Sequence, residues 1–257
     1  MSLFRALRGL PFKTRPDARL REDALFVSTG LGHVPITVRR SSQARRMTLR
    51  VRAATRDVTL TLPPGASFAG ARDFIERHVT WIEHRLARLP ERIPFEPGET
   101  IPLRGVGHRI VLREGFRGVV RVEPGLRGEG PILVVHGAPE HAPRRIADFL
   151  KREARDDLAA AVARHAATLG VTVGRIAIRD TTSRWGSCSV AGDLAFSWRL
   201  ILAPTHVLDY LAAHEVAHRR EMNHSPRYWA HVARLAPDYD RSESWLKAHG
   251  AALHRYG

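Results

Sequence analysis

Residues 214–224 constrain this chain more than any other stretch. The run reads His214-Glu215-Val216-Ala217-His218-Arg219-Arg220-Glu221-Met222-Asn223-His224. His214 and His218 stand four apart, one turn of a helix, so on a helix both imidazoles leave one face. Such a pair presents two nitrogens to one cation at the roughly 2.0–2.1 Å that zinc requires. Glu215, beside the first histidine, reaches a water on that ion without ligating it. Zinc brings the water's pKa to about 7, and the glutamate takes the proton as the oxygen attacks a carbonyl. A catalytic zinc site wants a third protein ligand, and His224 is the candidate. It follows the helix, so the chain must turn back at once, and Asn223, which tolerates left-handed backbone, is the expected pivot. The fold must therefore carry a helix from Thr205 to about Met222 at the edge of a core. Leu208, Leu211, Ala212 and Val216 pack it, and its ligand face stays open.

The spacing 214, 218, 224 is also that of the metzincins. That pattern has glycine where this chain has Glu221, and it needs a methionine turn downstream. The methionines here are Met1, Met47 and Met222, so the pattern is incomplete.

Before this helix the chain changes character twice. Residues 1–30 have little periodicity and read as a basic arm. Alternating apolar residues then predict three half-buried strands, Val34–Val38, Met47–Val51 and Val58–Leu62. Ser67 is the expected cap of one helix running to Leu89. Strands return at Ile101–Val106, Arg109–Arg113, Val119–Val122 and Ile132–His136. Gly105-Val-Gly107 lacks the third glycine and the helix of a nucleotide loop, and reads as a hairpin turn. Pro143 opens a long helix, about Arg144–Leu169, with Gly170 just past its end. Val171–Arg179 and Leu194–Leu202 are expected as strands joined by a polar loop. Ser225-Pro226 opens a further helix, and Asp240 with Glu243 frames a last one to about His254. The organisation read from this is a basic arm over 1–30, a strand-rich region with one helix over 31–140, and a zinc-binding region over 141–257.

Lys and Arg number 41 against 26 Asp and Glu, a net charge of +15. Such an excess raises DNA as a partner, and residues 1–50 alone carry net +8, which places the contact in the basic arm. Only Lys13, Lys151 and Lys247 are lysines, so the charge is almost all arginine. No run of apolar residues is long enough for a membrane helix. The N-terminus lacks the apolar core of a signal peptide. The single cysteine, Cys188, cannot form an intrachain disulfide, which fits a cytoplasmic protein. It invites a cysteine-nucleophile reading, but the histidines are already accounted for by the metal set, so a small buried or cleft-lining thiol is expected.

Three further stretches carry a resemblance. They are Asp180-Thr-Thr-Ser-Arg184-Trp185-Gly186-Ser187-Cys188-Ser189, Leu194-Ala-Phe-Ser-Trp198-Arg199-Leu200-Ile201-Leu202-Ala203-Pro204, and Met222-Asn-His224-Ser-Pro-Arg-Tyr228-Trp229. With His214-Glu-Val-Ala-His218 they resemble the YgjP-like metallopeptidases, bacterial relatives of the SprT and WLM zinc proteases. Val38–Leu49 and Phe74…Trp81-Ile82 are similar to the opening strands and helix of the same family, so the likeness spans roughly 30–255. It implies an α+β fold, with a strand-rich N-terminal half followed by a gluzincin-like zincin core. That core would have a small sheet and the His-Glu-x-x-His active-site helix. It implies one zinc ion per chain on His214, His218 and His224, Glu215 as base, and a protein or peptide substrate. Among SprT relatives some act on DNA-bound proteins, which gives the basic arm its alternative role of recruiting the chain to DNA. An edge strand next to the metal helix would pair with an extended peptide. Arg184, Trp185, Ser187 and Tyr228 are the expected cleft residues, and Tyr228, His231, Arg184 and Arg199 are the types able to steady an oxyanion.

Overall fold

The computed structural model describes residues 25–257 apart from 31, 53–55, 90, 116–118 and 127. Most of the expected basic arm therefore lies outside the described residues. Its last part, Leu25–Thr29, is a strand. The chain divides into two compact units, Met1–Pro90 and Glu91–Gly257.

The first unit holds strands β1 (Leu25–Thr29), β2 (Gly32–Arg40), β3 (Thr48–Val51) and β4 (Val58–Leu62), then helices α1 (Phe68–Glu76) and α2 (Val79–Ala87). The strands form one sheet in the order β1-β2-β4-β3, with β2 and β4 parallel. Alternation puts Val34, Ile36, Val58, Leu60 and Leu62 on one face, where Ala71, Ile75, Ile82 and Leu86 of the helices bury them. Ser67 caps α1 as expected, accepting from the Gly70 amide at 3.0 Å. The expected single helix is broken at His78. Its ring Nδ1 lies 2.7 Å from the Phe74 carbonyl, the acceptor that a continuous α-helix assigns to the His78 amide. That amide bonds Ile75 O instead, at 2.9 Å, and the helix restarts one residue later.

The second unit opens with β5 (Thr100–Leu103), β6 (Val106–Arg113), β7 (Val120–Glu123) and β8 (Ile132–His136), a sheet in the order β5-β6-β8-β7. Helix α3 (Ala142–Leu169) follows and ends at Gly170, whose φ of 65° is the left-handed cap expected there. A small sheet comes next in the order β10-β11-β9, made from β9 (Ile176–Arg179), β10 (Gly186–Cys188) and β11 (Leu194–Ser197). A 3-10 turn (Trp198–Leu202) leads to α4 (Thr205–Ala217), α5 (Pro226–Leu235) and α6 (Tyr239–Leu253). The fold is mixed α+β, strand-rich first and helical later. No helix among the described residues is long and apolar enough to cross a membrane.

Three expectations are corrected here. The boundary read near 138–142 falls at Pro90 instead. Ile101, Leu133 and Val135 of the β5–β8 sheet share one core with Ile146 and Leu150 of α3, so the sheet and the long helix cannot be separated. Strand Leu194–Leu202 stops at Ser197, where five buried residues wind into the 3-10 turn. Strand Val171–Arg179 begins only at Ile176, because Gly174 and Arg175 give their amides to Gly192 O and Asp193 Oδ1 in the β10–β11 turn. The polar loop between them contains β10, too short to show an alternation.

Candidate metal centre

Helix α4 is buried along most of its length, including Ala212, Ala213, Val216 and Ala217. It stops sooner than the expected Met222. His218 is its C-cap, and the next two amides, Arg219 and Arg220, drop back to the carbonyls three residues before them. The two arginine side chains hold that end in place. Arg219 donates to Thr172 O and Val190 O, and Arg220 to Leu169 O and Gly170 O. The chain then turns back without the left-handed residue expected at Asn223. Arg56 and Arg104 are the described non-glycine residues with positive φ. Asn223 works through its side chain, accepting the Ser225 amide at 3.2 Å, and Ser225 in turn caps α5.

This return brings the three histidines together. One ring nitrogen from each of His214, His218 and His224 lies within 4.8 Å of the others. His214 Nε2 and His224 Nε2 are 3.3 Å apart. Two nitrogens each about 2.0–2.1 Å from a tetrahedral ion are separated by roughly 3.3–3.4 Å, so the pair has the spacing of two ligands on one zinc. His218 Nδ1 stands 3.1 Å from the Glu221 carbonyl. A carbonyl only accepts, so the proton sits on Nδ1 and the Nε2 lone pair is free. Burial, then the neighbouring His218 and His224, pushes His214 down to about 4, so it is neutral and able to ligate near neutral pH.

Glu215 packs toward β10 and is only 4% exposed. Burial pushes its carboxyl up to about 8, with Arg184 opposing. Against it lies β10. A Cβ placed on Gly186 would overlap Glu215 Oε1 and lie 2.8 Å from its Cδ.

The chain matches the family described as YgjP-like, metallopeptidase domain, over residues 45–249. It is a YgjP-like metallopeptidase. Comparison with curated proteins finds no match. Among solved structures, the metallopeptidase zymogen of Pyrococcus abyssi abylysin is 19% identical over 35% of this chain and 95% of that one, with a TM-score of 0.31.

The YgjP-like match includes the three histidines, Glu215 and the expected cleft residues Arg184, Trp185, Ser187 and Tyr228, but the fold does not gather all of them. Trp185 turns away from the histidines. It stacks on His254 with ring centroids 5.0 Å apart and packs on Gly250 of α6. Ser187 alternates with Gly186 on β10, so it faces away from Glu215. Arg184 is exposed, yet close enough for its charge to act on Glu215. Tyr228 is fully buried, not cleft-lining. Its hydroxyl donates to the His214 carbonyl at 3.0 Å, and its ring stacks on His218 with centroids 4.6 Å apart. That hydroxyl is committed to backbone and leaves the set of oxyanion candidates. Arg199 leaves it too, since its buried guanidinium bonds Asp180 and the carbonyls of Leu253 and Tyr256. Cys188 is half-buried on the Glu215 side of β10, and burial first, then Glu215, pushes its thiol up, which disfavours a nucleophile. Sequence reasoning missed Gly186 as a partner of Glu215. It also missed Tyr210, whose hydroxyl approaches His214 Nδ1 at 3.5 Å. The 210/214 spacing of one helical turn was the available signal.

Proposed function

We propose that this YgjP-like chain is a zinc-dependent peptidase on a gluzincin-like zincin core, with α4 as its active-site helix and β10 beside it. His214, His218 and His224 hold one zinc ion, and Glu215 is the general base. What carries the reading is the convergence of three ring nitrogens within 4.8 Å beside a buried glutamate. Bound zinc supplies a Lewis acid that acidifies a water and polarises the scissile carbonyl, and its charge favours the ionised form of Glu215. Glu215 accepts a proton at its carboxylate and returns it to the leaving amine. Buried Tyr228 and the Glu221 carbonyl fix the orientation of the His218 ring. Strand β10 is an edge of its sheet, so an extended peptide pairs along its free side and runs past Glu215. Exposed Arg184, at the entrance to β10, meets the substrate.

The test joins metal content to hydrolysis. About one equivalent of zinc is expected per chain, lost in His214→Ala and His218→Ala, because two nitrogens compete poorly for the ion. Glu215→Gln keeps the zinc and the fold, while hydrolysis of casein or a denatured protein falls by about 10²–10⁴-fold. Full activity in Glu215→Gln, or unchanged zinc in both histidine variants, would overturn the assignment.

A further inference from the structure

We infer that the uncovered face of the β1-β2-β4-β3 sheet is a binding platform for single-stranded nucleic acid. It lies wholly within the first unit and is independent of the metal centre. Helices α1 and α2 bury one face of this sheet. The strand registers then fix what the other face presents. Phe26 of β1 sits beside Pro35 of β2. Thr37 of β2 sits beside Thr59 of β4, and Thr59 beside Arg50 of β3. One step along, Arg39 flanks Thr61. Phe26 is 65% exposed, an aromatic ring standing out from a strand with no helix of the described residues over it.

The charge on and around this face is predominantly positive. Residues 25–89 contain 11 arginines and four acidic residues, net +7. Of the acidic residues, Asp57 lies at the end of this face, just before β4, while Asp73 and Glu76 lie in α1 and Glu83 in α2. Among the described residues, Arg39 and Arg50 take no part in any side-chain hydrogen bond or ion pair. Arg40, next to Arg39, behaves differently: it folds back onto the carbonyls of Pro63, Pro64 and Ala66 and makes no part of the platform. The loop from β2 to β3 adds exposed Arg45 and Arg46 at one end of the sheet.

These features select a partner by chemistry. Free guanidinium groups fit phosphates, and threonine hydroxyls donate to phosphate or base edges. An exposed ring stacks on a base, and a base offers its face only when it is not already stacked in a duplex. Strands about 4.8 Å apart make the four-stranded face roughly 14 Å wide, room for two or three bases. Sequence placed the nucleic-acid contact in the arm over 1–30; the fold adds a surface that joins Phe26, from the end of that arm, to arginines and threonines of the strands after it, an aromatic element that charge counting does not reveal.

The experiment uses the full chain and fluorescence anisotropy with labelled oligo(dT), oligo(U) and a DNA duplex, over a range of salt. The wild type should bind both single strands more tightly than the duplex, and the ratio of oligo(U) to oligo(dT) affinity reports any use of the 2′-hydroxyl. Phe26→Ala should weaken single-strand binding by about 5- to 100-fold and leave duplex binding unchanged. Phe26→Tyr should restore it. Arg39→Ala with Arg50→Ala should reduce the slope of log K against log salt for single strands by about 1.4. Thermal midpoints near wild type will confirm that these exposed positions leave the fold intact. The inference is overturned if Phe26→Ala binds single strands like wild type, if the arginine pair leaves the salt slope unchanged, or if the wild type binds no single strand at low salt.

Discussion

Gly186 is a glycine because another residue's carboxylate fills the volume its side chain would need. Its backbone makes no demand for positive φ, so the reason is wholly steric: the Glu215 carboxyl packs on the bare Cα from the adjoining helix. Glu215 is buried and has little freedom to swing aside. In Gly186→Ala the methyl group must displace the carboxylate by about an ångström, or push β10 outward. Misplacement on that scale at a proton-transferring group costs about ten- to a hundredfold in rate. The expected outcome is a fall in kcat with zinc content unchanged, measured on the same substrate as the Glu215 variant. Shortening the carboxylate with Glu215→Asp should make the added methyl less harmful, so the two substitutions together cost less than the product of their separate effects.

At the scale of elements, α4 is positioned by what grips it from α3. Asp209 of α4 accepts from His165 at 3.1 Å and from Arg164 at 2.7 Å. Burial raises the Asp209 carboxyl, but the His165 and Arg164 contacts outweigh it and hold it below its ordinary value. The folded-state pKa is thus lower than the unfolded one. The contribution to stability is full above the unfolded value, near 4, and is lost as pH falls through the folded value. The thermal midpoint should therefore drop on acidification below about pH 4, and Asp209→Asn should flatten that part of the profile. Sequence patterns placed the start of α4 correctly at Thr205, and the His-Glu-x-x-His spacing put His214 and His218 one turn apart. They missed its end at His218. That end depends on where Arg219 and Arg220 find carbonyl acceptors, about 30 to 50 residues away in sequence. They missed β10 as well, since three residues carry no period and pairing with β11 alone defines it. The sequence places Trp185 and Tyr228 among the expected cleft residues. Their real places, against α6 and beneath His214, follow from packing that no local pattern encodes.

Across the whole molecule, the positive charge is divided between two uses. Arg104 is paired with Asp157 and Glu153, and Arg199, Arg219 and Arg220 donate into backbone carbonyls, so these arginines are fastenings. Charge counted from sequence treats them the same as Arg39 and Arg50, which have no such partners among the described residues. The second unit shows how far such fastenings reach. Ile93, near its start, pairs with Tyr256, near its end, and exchanges backbone hydrogen bonds with Arg255 and Gly257. Arg199, from the middle, bonds Tyr256 O at 2.6 Å. Removing Arg255–Gly257 strips the buried guanidinium of its shortest acceptor and should cost about 1.5–3 kcal/mol, read from the denaturant midpoint.

That closure also sets an order of events during synthesis. Ile93 leaves the ribosome more than 160 residues ahead of the carbonyl and amide it will bond. The guanidinium of Arg199 emerges with two of its acceptors still untranslated. Until residues 253–257 have emerged, the histidine-bearing half can collapse around its core but cannot close its seam. The growing chain is thus held one step short of its closed form until residues 253–257 are out.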